Sequence, residues 1–217
     1  MTFTRAIGIG AGRVLFWIVR ALALSRIHPN VLTFIGLLIN IGAAMLLAQG
    51  RFFQAGLVII SAGLFDMVDG RVARETRQVT RFGAFFDSVV DRYSDLALLM
   101  GLLVYYANIN RNFYVVLTAV VMTASVMISY TRARAENVIP SCKVGFLERP
   151  ERVVLLILGA LFDRMAAVLW VIAVLGNITV IHRMWHVWEV TRAMEQPPPP
   201  PAEAPVEAQP EKAGRAS

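Results

Sequence analysis

The sequence contains 217 residues, of which 57% are hydrophobic and 17% charged, and its formal net charge is +6. A chain of this length suits a single domain, but the apolar excess is too large for an ordinary soluble one and indicates a membrane protein. The basic excess follows the charge bias of membrane topology described below, so nucleic acid is not an expected partner.

The first predicted element, residues 1–26, is a helix that lies in the cytoplasmic interface of the membrane. Its apolar stretch, 3–24, carries arginines at positions 5, 13 and 20. The stretch has no small-residue cleavage site and is therefore not interpreted as a signal peptide. Interfacial amphipathic helices place such arginines among anionic lipid head groups. The segment "SRIHPN" then leads into the first span, with Pro29 at the first helical position.

Six apolar stretches follow, and each is predicted to be a transmembrane helix. Three of them are uncharged and close to the ~20 residues that a spanning helix needs: 27–50, 112–131 and 165–181. Three shorter ones carry charge at one end: 52–65, 96–110 and 153–162. The alternative for the shorter stretches is a set of core helices in a soluble domain. We favour an all-α integral membrane protein, with residues 27–192 forming a six-helix transmembrane domain.

The distribution of basic residues predicts the orientation. With six spans, 18 of the 21 Lys and Arg residues fall on one side of the membrane, and only Arg51, Arg111 and Arg164 fall on the other. The positive-inside bias therefore places both termini in the cytoplasm, with the protein in the cytoplasmic membrane. Residues 193–217 are rich in proline and poor in large apolar side chains, which predicts a disordered cytoplasmic tail.

An acidic block interrupts this apolar chain. The segment "FDMVDGRVARETRQVTRFGAFFDSVVDRYSD", residues 65–95, contains five aspartates. If the second span continues as a helix, one of its faces carries Asp66, Asp69, Gly70, Ala73 and Arg74. At a spacing of four residues, Gly83, Asp87 and Asp91 form a stripe on the next helix. Two helices thus each present two carboxylates.

Four neighbouring carboxylates at a membrane boundary repel one another unless they are paired or bound to metal. Oxygen-only ligands suit Mg²⁺ or Mn²⁺, and acids from facing helices of a bundle can hold two such ions for phosphoryl chemistry. The alternative is salt bridging with the arginines of the same block. Two stripes in register favour a metal site, because ion pairs need no such spacing.

The pattern D-x-x-D-G-x-x-A-R-x8-G-x-x-x-D-x-x-x-D, from Asp66 to Asp91, resembles the signature of the CDP-alcohol phosphatidyltransferases at every fixed position. The resemblance covers about residues 5–190. It implies a bundle of six transmembrane helices, usually homodimeric, whose active site opens to the cytoplasm. It also implies an enzyme in which an acceptor hydroxyl attacks the lipid-linked phosphorus of CDP-diacylglycerol and releases CMP.

The resemblance assigns roles to individual residues. It implies two divalent cations, Mg²⁺ or Mn²⁺, with Asp66, Asp69, Asp87 and Asp91 as the metal-binding set. In this set Asp91 bridges the ions or lies near them and also acts as the general base. It places the CDP part of the donor against Gly70, Ala73, Arg74 and Gly83. Asn30 and Thr33, at the start of the first span, correspond to nucleotide-contacting residues of relatives, although polar residues there are also ordinary helix caps.

A second group of charged residues lies in "SYTRARAENVIPSCKVGFLERPERVV", residues 129–154. Arg149 and Arg152 are three residues apart and share a helix face, and Arg183 interrupts the end of the last span. Arginines from several helices suit a phosphate, although the positive-inside bias alone is an alternative explanation.

The same segments are similar to those of bacterial phosphatidylinositol-phosphate synthases. That similarity implies an inositol phosphate acceptor held by Arg132, Arg149, Arg152 and Arg183. The family commonly has lysine where this chain has Arg132, so glycerol 3-phosphate stays open as the acceptor. A non-enzymatic alternative is a membrane transporter with an intramembrane acidic site, although two matching halves with broken spans are not apparent.

Overall fold

The computed structural model describes residues 29–75 and 80–195. Within those ranges the chain forms six α-helices and no strand. In chain order they are α1 Pro29–Ala48, α2 Phe52–Glu75, α3 Arg81–Asn108, α4 Asn112–Ala135, α5 Arg149–Leu161 and α6 Met165–Glu195. The predicted interfacial helix, 1–26, lies outside the described residues. Of the predicted tail, 193–195 complete α6, and the remainder also lies outside them.

The connections between helices alternate in length. Turns of three residues join α1 to α2, α3 to α4 and α5 to α6, whereas α4 and α5 are separated by residues 136–148. Each short turn joins two helices that also pack against each other, and further contacts join α1 to α3, α2 to α5 and α4 to α6. The helices therefore run up and down, and the end of α2, the start of α3, the end of α4 and the start of α5 meet at one end of the bundle.

Local sequence determines where the helices begin. Pro29 is the first residue of α1, as predicted, because proline needs no hydrogen-bond acceptor for its nitrogen in a first turn. Thr80 caps α3 by accepting a hydrogen bond from the Gly83 N–H at 2.9 Å. Pro150 and Glu151 lie in the first turn of α5. With these starts, the charged first turns of α3 and α5 lie at the same end of the bundle as the acidic block.

The interior is apolar, and so is much of the outer surface. Leu47, Leu102, Val121 and Leu169 are fully or almost fully buried between the helices. Large apolar side chains such as Ile181 point outward with more than half of their surface exposed. Helices that are apolar on both faces suit a hydrocarbon environment.

Among the described helices, three are long and apolar enough to cross a membrane: Asn30–Ala48, Asn112–Ala135 and Met165–Glu195. The first lies within the predicted uncharged stretch 27–50, and the other two contain the stretches 112–131 and 165–181, so that part of the prediction is confirmed. Phe52–Asp66 is a shorter apolar stretch within α2. The all-helical fold is confirmed for the described residues, and six spans stay a prediction.

The backbones of α1 and α3 approach each other closely at Gly101. A Cβ atom at Gly101 would lie 2.3 Å from the Ala44 carbonyl oxygen, a distance that no side chain tolerates. A Cβ at Gly42, also on α1, would have no neighbour within 4 Å. Gly101 therefore sets the spacing of α1 and α3.

We expect Gly101→Ala to lower the free energy of unfolding by about 1–3 kcal/mol, because α1 and α3 must move apart. Gly42→Ala is the matched control and should be neutral or slightly stabilising, since alanine favours the helix. Thermal unfolding in detergent measures both. Equal stability of the two variants would contradict the close approach.

Candidate active site

Carboxylates from two helices converge on one guanidinium group. Arg149, the first residue of α5, places Nη2 at 2.9 Å from Asp66 Oδ2 of α2 and Nη1 at 3.0 Å from Asp91 Oδ1 of α3. Its Nε lies 3.4 Å from Asp95 Oδ1, one turn beyond Asp91. Residues from three parts of the chain thus meet at the end of the bundle, and two of the carboxylates belong to the stripes that the sequence predicts.

Electrostatics in this cluster favour proton transfer at one carboxylate. Asp91 lies ahead of the apolar stretch 96–110 and is largely buried. Burial raises the pKa of this carboxyl group to about 7; the charge of Arg149 opposes the shift, and the neighbouring acidic residues add to it. Burial lowers the pKa of Arg149, but Asp91, Asp95 and Asp66 more than offset this, so its pKa is raised and it stays charged. A carboxylate whose pKa is near neutrality can act as a general base at physiological pH.

A second ion pair lies deeper in the bundle. Arg152 Nη2 donates to Asp95 Oδ2 at 2.5 Å, and both side chains are less than one-tenth exposed. Buried charges of this kind are tolerated only when they are paired. The pair joins α3 to α5, so the position of α5 depends on a carboxylate that also contacts Arg149.

Glu148, the residue before α5, joins two further arginines. Its Oε1 accepts from Arg132 Nη1 of α4 at 3.2 Å and from Arg183 Nη2 of α6 at 3.0 Å. Arg183 is 1% exposed, and it also donates to the backbone carbonyls of Val144, at 2.8 Å, and Ile128. An arginine with this many internal partners holds the long α4–α5 connection against α6.

A cavity of about 140 Å³ lies among these charged side chains. Its lining includes the acids Asp91, Asp95 and Glu148 and the arginines Arg92, Arg132, Arg149, Arg152 and Arg183. All four arginines that the sequence predicts for the acceptor phosphate therefore line one cavity together with the predicted base. Whether they bind phosphate stays a prediction.

The residues predicted to contact CDP are described in part. Asn30 and Thr33 lie in the first two turns of α1, and a Cβ at Gly83 would approach Asn30 Oδ1 to 3.4 Å, so the start of α1 faces the start of α3. Asp69, Gly70, Ala73 and Arg74 lie in α2, which continues to Glu75 as the stripe requires. Their side chains lie outside the described part, so their contacts stay predictions.

The carboxylates fit a cation-binding role. In the parts of the chain that the structure describes, no three Asp, Glu, His or Cys side chains are grouped closely enough to hold a metal ion. Asp87 is exposed on α3, and the side chain of Asp69 is not described. However, Asp66 and Asp91 already share the positive guanidinium of Arg149, and their oxygens are the donors that hard divalent cations prefer.

The family model for CDP-alcohol phosphatidyltransferase matches residues 26–191. The chain belongs to this family. It is therefore an enzyme, a CDP-alcohol phosphatidyltransferase, and the resemblance of the pattern between Asp66 and Asp91 is confirmed at the level of the family. The transporter alternative is not supported.

Individual relatives of this phosphatidyltransferase are similar along most of their length. The phosphatidylinositol phosphate synthase of Mycobacterium bovis is 35% identical over 190 residues, which cover 82% of this chain and 88% of the relative. A crystal structure of the Mycobacterium tuberculosis phosphatidylinositol phosphate synthase with CDP-DAG bound has a TM-score of 0.76 at 34% identity, and the match covers 81% of this chain and 94% of that one. The same enzyme in complex with manganese and citrate has a TM-score of 0.74 at 35% identity, covering 79% and 87%.

Sequence reasoning missed three residues of the site. Asp95 continues the spacing of four residues from Asp87 and Asp91, and that continuation was the available signal. For Glu148, the local sequence shows only that it precedes α5, which does not predict a site residue. The local sequence around Gly36 of α1 does not predict one either, although a Cβ at Gly36 would lie 3.0 Å from Asp66 Oδ1. Its absent side chain leaves room for a carboxylate of the acidic cluster.

We expect Asp95→Asn to lower the free energy of unfolding of this phosphatidyltransferase by about 3–5 kcal/mol, because Arg152 would keep a buried charge without its carboxylate. The double variant Asp95→Leu/Arg152→Met should recover part of the loss, since it removes both charges. Glu136→Gln, at the exposed Arg132–Glu136 pair, is the control and should change stability by less than about 1 kcal/mol. Chemical or thermal denaturation in detergent measures the series, and a stable Asp95→Asn protein would contradict the dependence on this pair.

Proposed function

We propose that this phosphatidyltransferase transfers the phosphatidyl group of CDP-diacylglycerol to a hydroxyl group of inositol phosphate and releases CMP. The observation that carries the proposal is the 140 Å³ cavity, because Asp91 and four arginines from α4, α5 and α6 line it together. A general base and a cluster of anion-binding side chains next to each other suit an acceptor that has both a hydroxyl and a phosphate. The relatives named phosphatidylinositol phosphate synthase support the same acceptor.

In the proposed reaction the acceptor oxygen forms a bond to the phosphorus that carries the diacylglycerol. The bond from that phosphorus to the bridging oxygen breaks, and CMP leaves with the electron pair. Asp91 accepts the hydroxyl proton at a carboxylate oxygen, consistent with its raised pKa. Arg149 and Arg152 at the start of α5 hold the acceptor phosphate near Asp91.

The donor side uses α1, α2 and α3. Asp66, Asp69, Asp87 and Asp91 would hold the divalent cations, two in our proposal, with Asp91 bridging the ions or lying near them. Bound Mg²⁺ or Mn²⁺ neutralises the diphosphate and stabilises the departing CMP. The manganese complex of the similar mycobacterial enzyme supports a divalent cation without deciding between the two metals. Asn30, Thr33, Gly70, Ala73, Arg74 and Gly83 contact the CDP part.

The membrane arrangement is part of the same proposal. Six spans place the acidic block, the α4–α5 connection and both termini on the cytoplasmic side, where water-soluble acceptors are available. The protein lies in the cytoplasmic membrane as a homodimer, as the family resemblance implies.

The direct test compares acceptors with one CDP-diacylglycerol donor. Inositol phosphate should support the fastest CMP release, followed by glycerol 3-phosphate, while inositol and serine should support little, because only a phosphomonoester satisfies several arginines. Chelation of divalent cations should abolish release in every case. Preference for an unphosphorylated acceptor would contradict the proposed role of the arginines, and preference for glycerol 3-phosphate would replace inositol phosphate as the acceptor.

We expect Asp91→Asn to lower turnover by about 100-fold or more, because the amide cannot accept the acceptor proton. Much of the metal-dependent affinity for CDP-diacylglycerol should remain, whereas Asp66→Asn should lose affinity as well. Asp163→Asn, in the turn between α5 and α6 at the opposite end of the bundle, is the matched control and should keep normal turnover. Near-normal turnover of Asp91→Asn would remove Asp91 from the mechanism.

A further inference from the structure

Glu148 lies between two arginines that come from different helices, Arg132 of α4 and Arg183 of α6. Arg132 Nη1 lies 3.2 Å from Glu148 Oε1, and Arg183 Nη2 lies 3.0 Å from the same oxygen. A carboxylate inside an anion-binding cavity is unfavourable for an incoming phosphate on charge alone. Its presence there therefore needs a structural or functional reason.

The segment that carries Glu148 is held firmly. The Glu148 N–H donates to Glu151 Oε2 of the first turn of α5 at 2.9 Å. The N–H groups of Phe146 and Leu147 both donate to Thr179 Oγ1 of α6 at 3.2 Å. These hydrogen bonds attach the backbone before α5 to both α5 and α6, so Glu148 is anchored where its carboxylate reaches Arg132 and Arg183.

A carboxylate on an anchored backbone can orient the arginines that bind it. Two guanidinium groups that point at one cavity repel each other, and a shared carboxylate oxygen offsets that repulsion and limits their rotamers. Arg183 has further internal partners, whereas among the described residues Arg132 has one other ion pair, with Glu136 at 3.0 Å. Arg132 is therefore the arginine whose direction depends most on Glu148.

We propose that Glu148 is a positioning residue for the acceptor phosphate: it holds Arg132 and Arg183 side by side so that both face the cavity. The inference rests on the proposed function, because it needs a phosphorylated acceptor in that cavity. It assigns the effect of Glu148 to acceptor binding and leaves the donor site on α1, α2 and α3 unaffected.

The test measures kcat and both KM values for the full-length enzyme, with CDP-diacylglycerol and inositol phosphate as substrates. Glu148→Ala should raise the acceptor KM by about 10-fold or more, with the donor KM nearly unchanged, since it removes charge-assisted hydrogen bonds that fix two arginines. Glu148→Gln should raise it less, because both arginines bind one oxygen and the amide oxygen can replace it. Glu136→Gln, which alters the other partner of Arg132, is the matched control and should change the acceptor KM by less than about threefold.

Three results would overturn the inference: an unchanged acceptor KM in Glu148→Ala, a lowered one, or a parallel rise in the donor KM. A lowered acceptor KM would show that Glu148 only repels the phosphate, and a parallel rise would show a general structural role. The proposed function is judged separately, on the wild-type enzyme, by CMP release with inositol phosphate. If another phosphorylated alcohol is preferred, the same variants measured with that alcohol decide the role of Glu148.

Discussion

The site depends on how buried charge is balanced at Asp95. This carboxylate contacts Arg152 and Arg149, which lie on one face at the start of α5. A bare charge at that depth would be strongly unfavourable, so α5 must lie where its arginines meet α3. Helix position and site geometry therefore have one electrostatic cause.

From Asp95 the charges extend in two directions and give the site two sides. On one side, Arg149 reaches Asp66 of α2 and Asp91 of α3, and this side is acidic and suited to cations. Toward α4 and α6, Glu148 joins Arg132 to Arg183, and this side is basic and suited to anions. The cavity lies between the two. A reaction in which a metal-bound diphosphate meets a phosphorylated acceptor needs such neighbouring regions of opposite charge.

Much of the helical fold and part of the site were predictable from the sequence, because both rest on local periodicity. The uncharged stretches predicted α1, α4 and α6, and the spacing of four residues predicted that Asp87 and Asp91 share one face of α3. The pairing of Asp95 with Arg152 was not predictable, since its partners lie 57 residues apart. Glu148 was missed for the same reason, because its contact with Arg183 spans 35 residues and depends on the path of the α4–α5 connection.

Glycines explain how charged groups fit between closely packed helices. Gly36 leaves space beside Asp66, and Gly83 leaves space beside Asn30, where Cβ atoms would approach side-chain oxygens to 3.0 and 3.4 Å. At these points the room for polar atoms comes from glycines within helices, so the backbone stays helical where it passes the site. Charged side chains that helices hold in defined directions can stabilise the charge that develops in the transition state. The same packing that excludes lipid from the bundle therefore also preorganises the site.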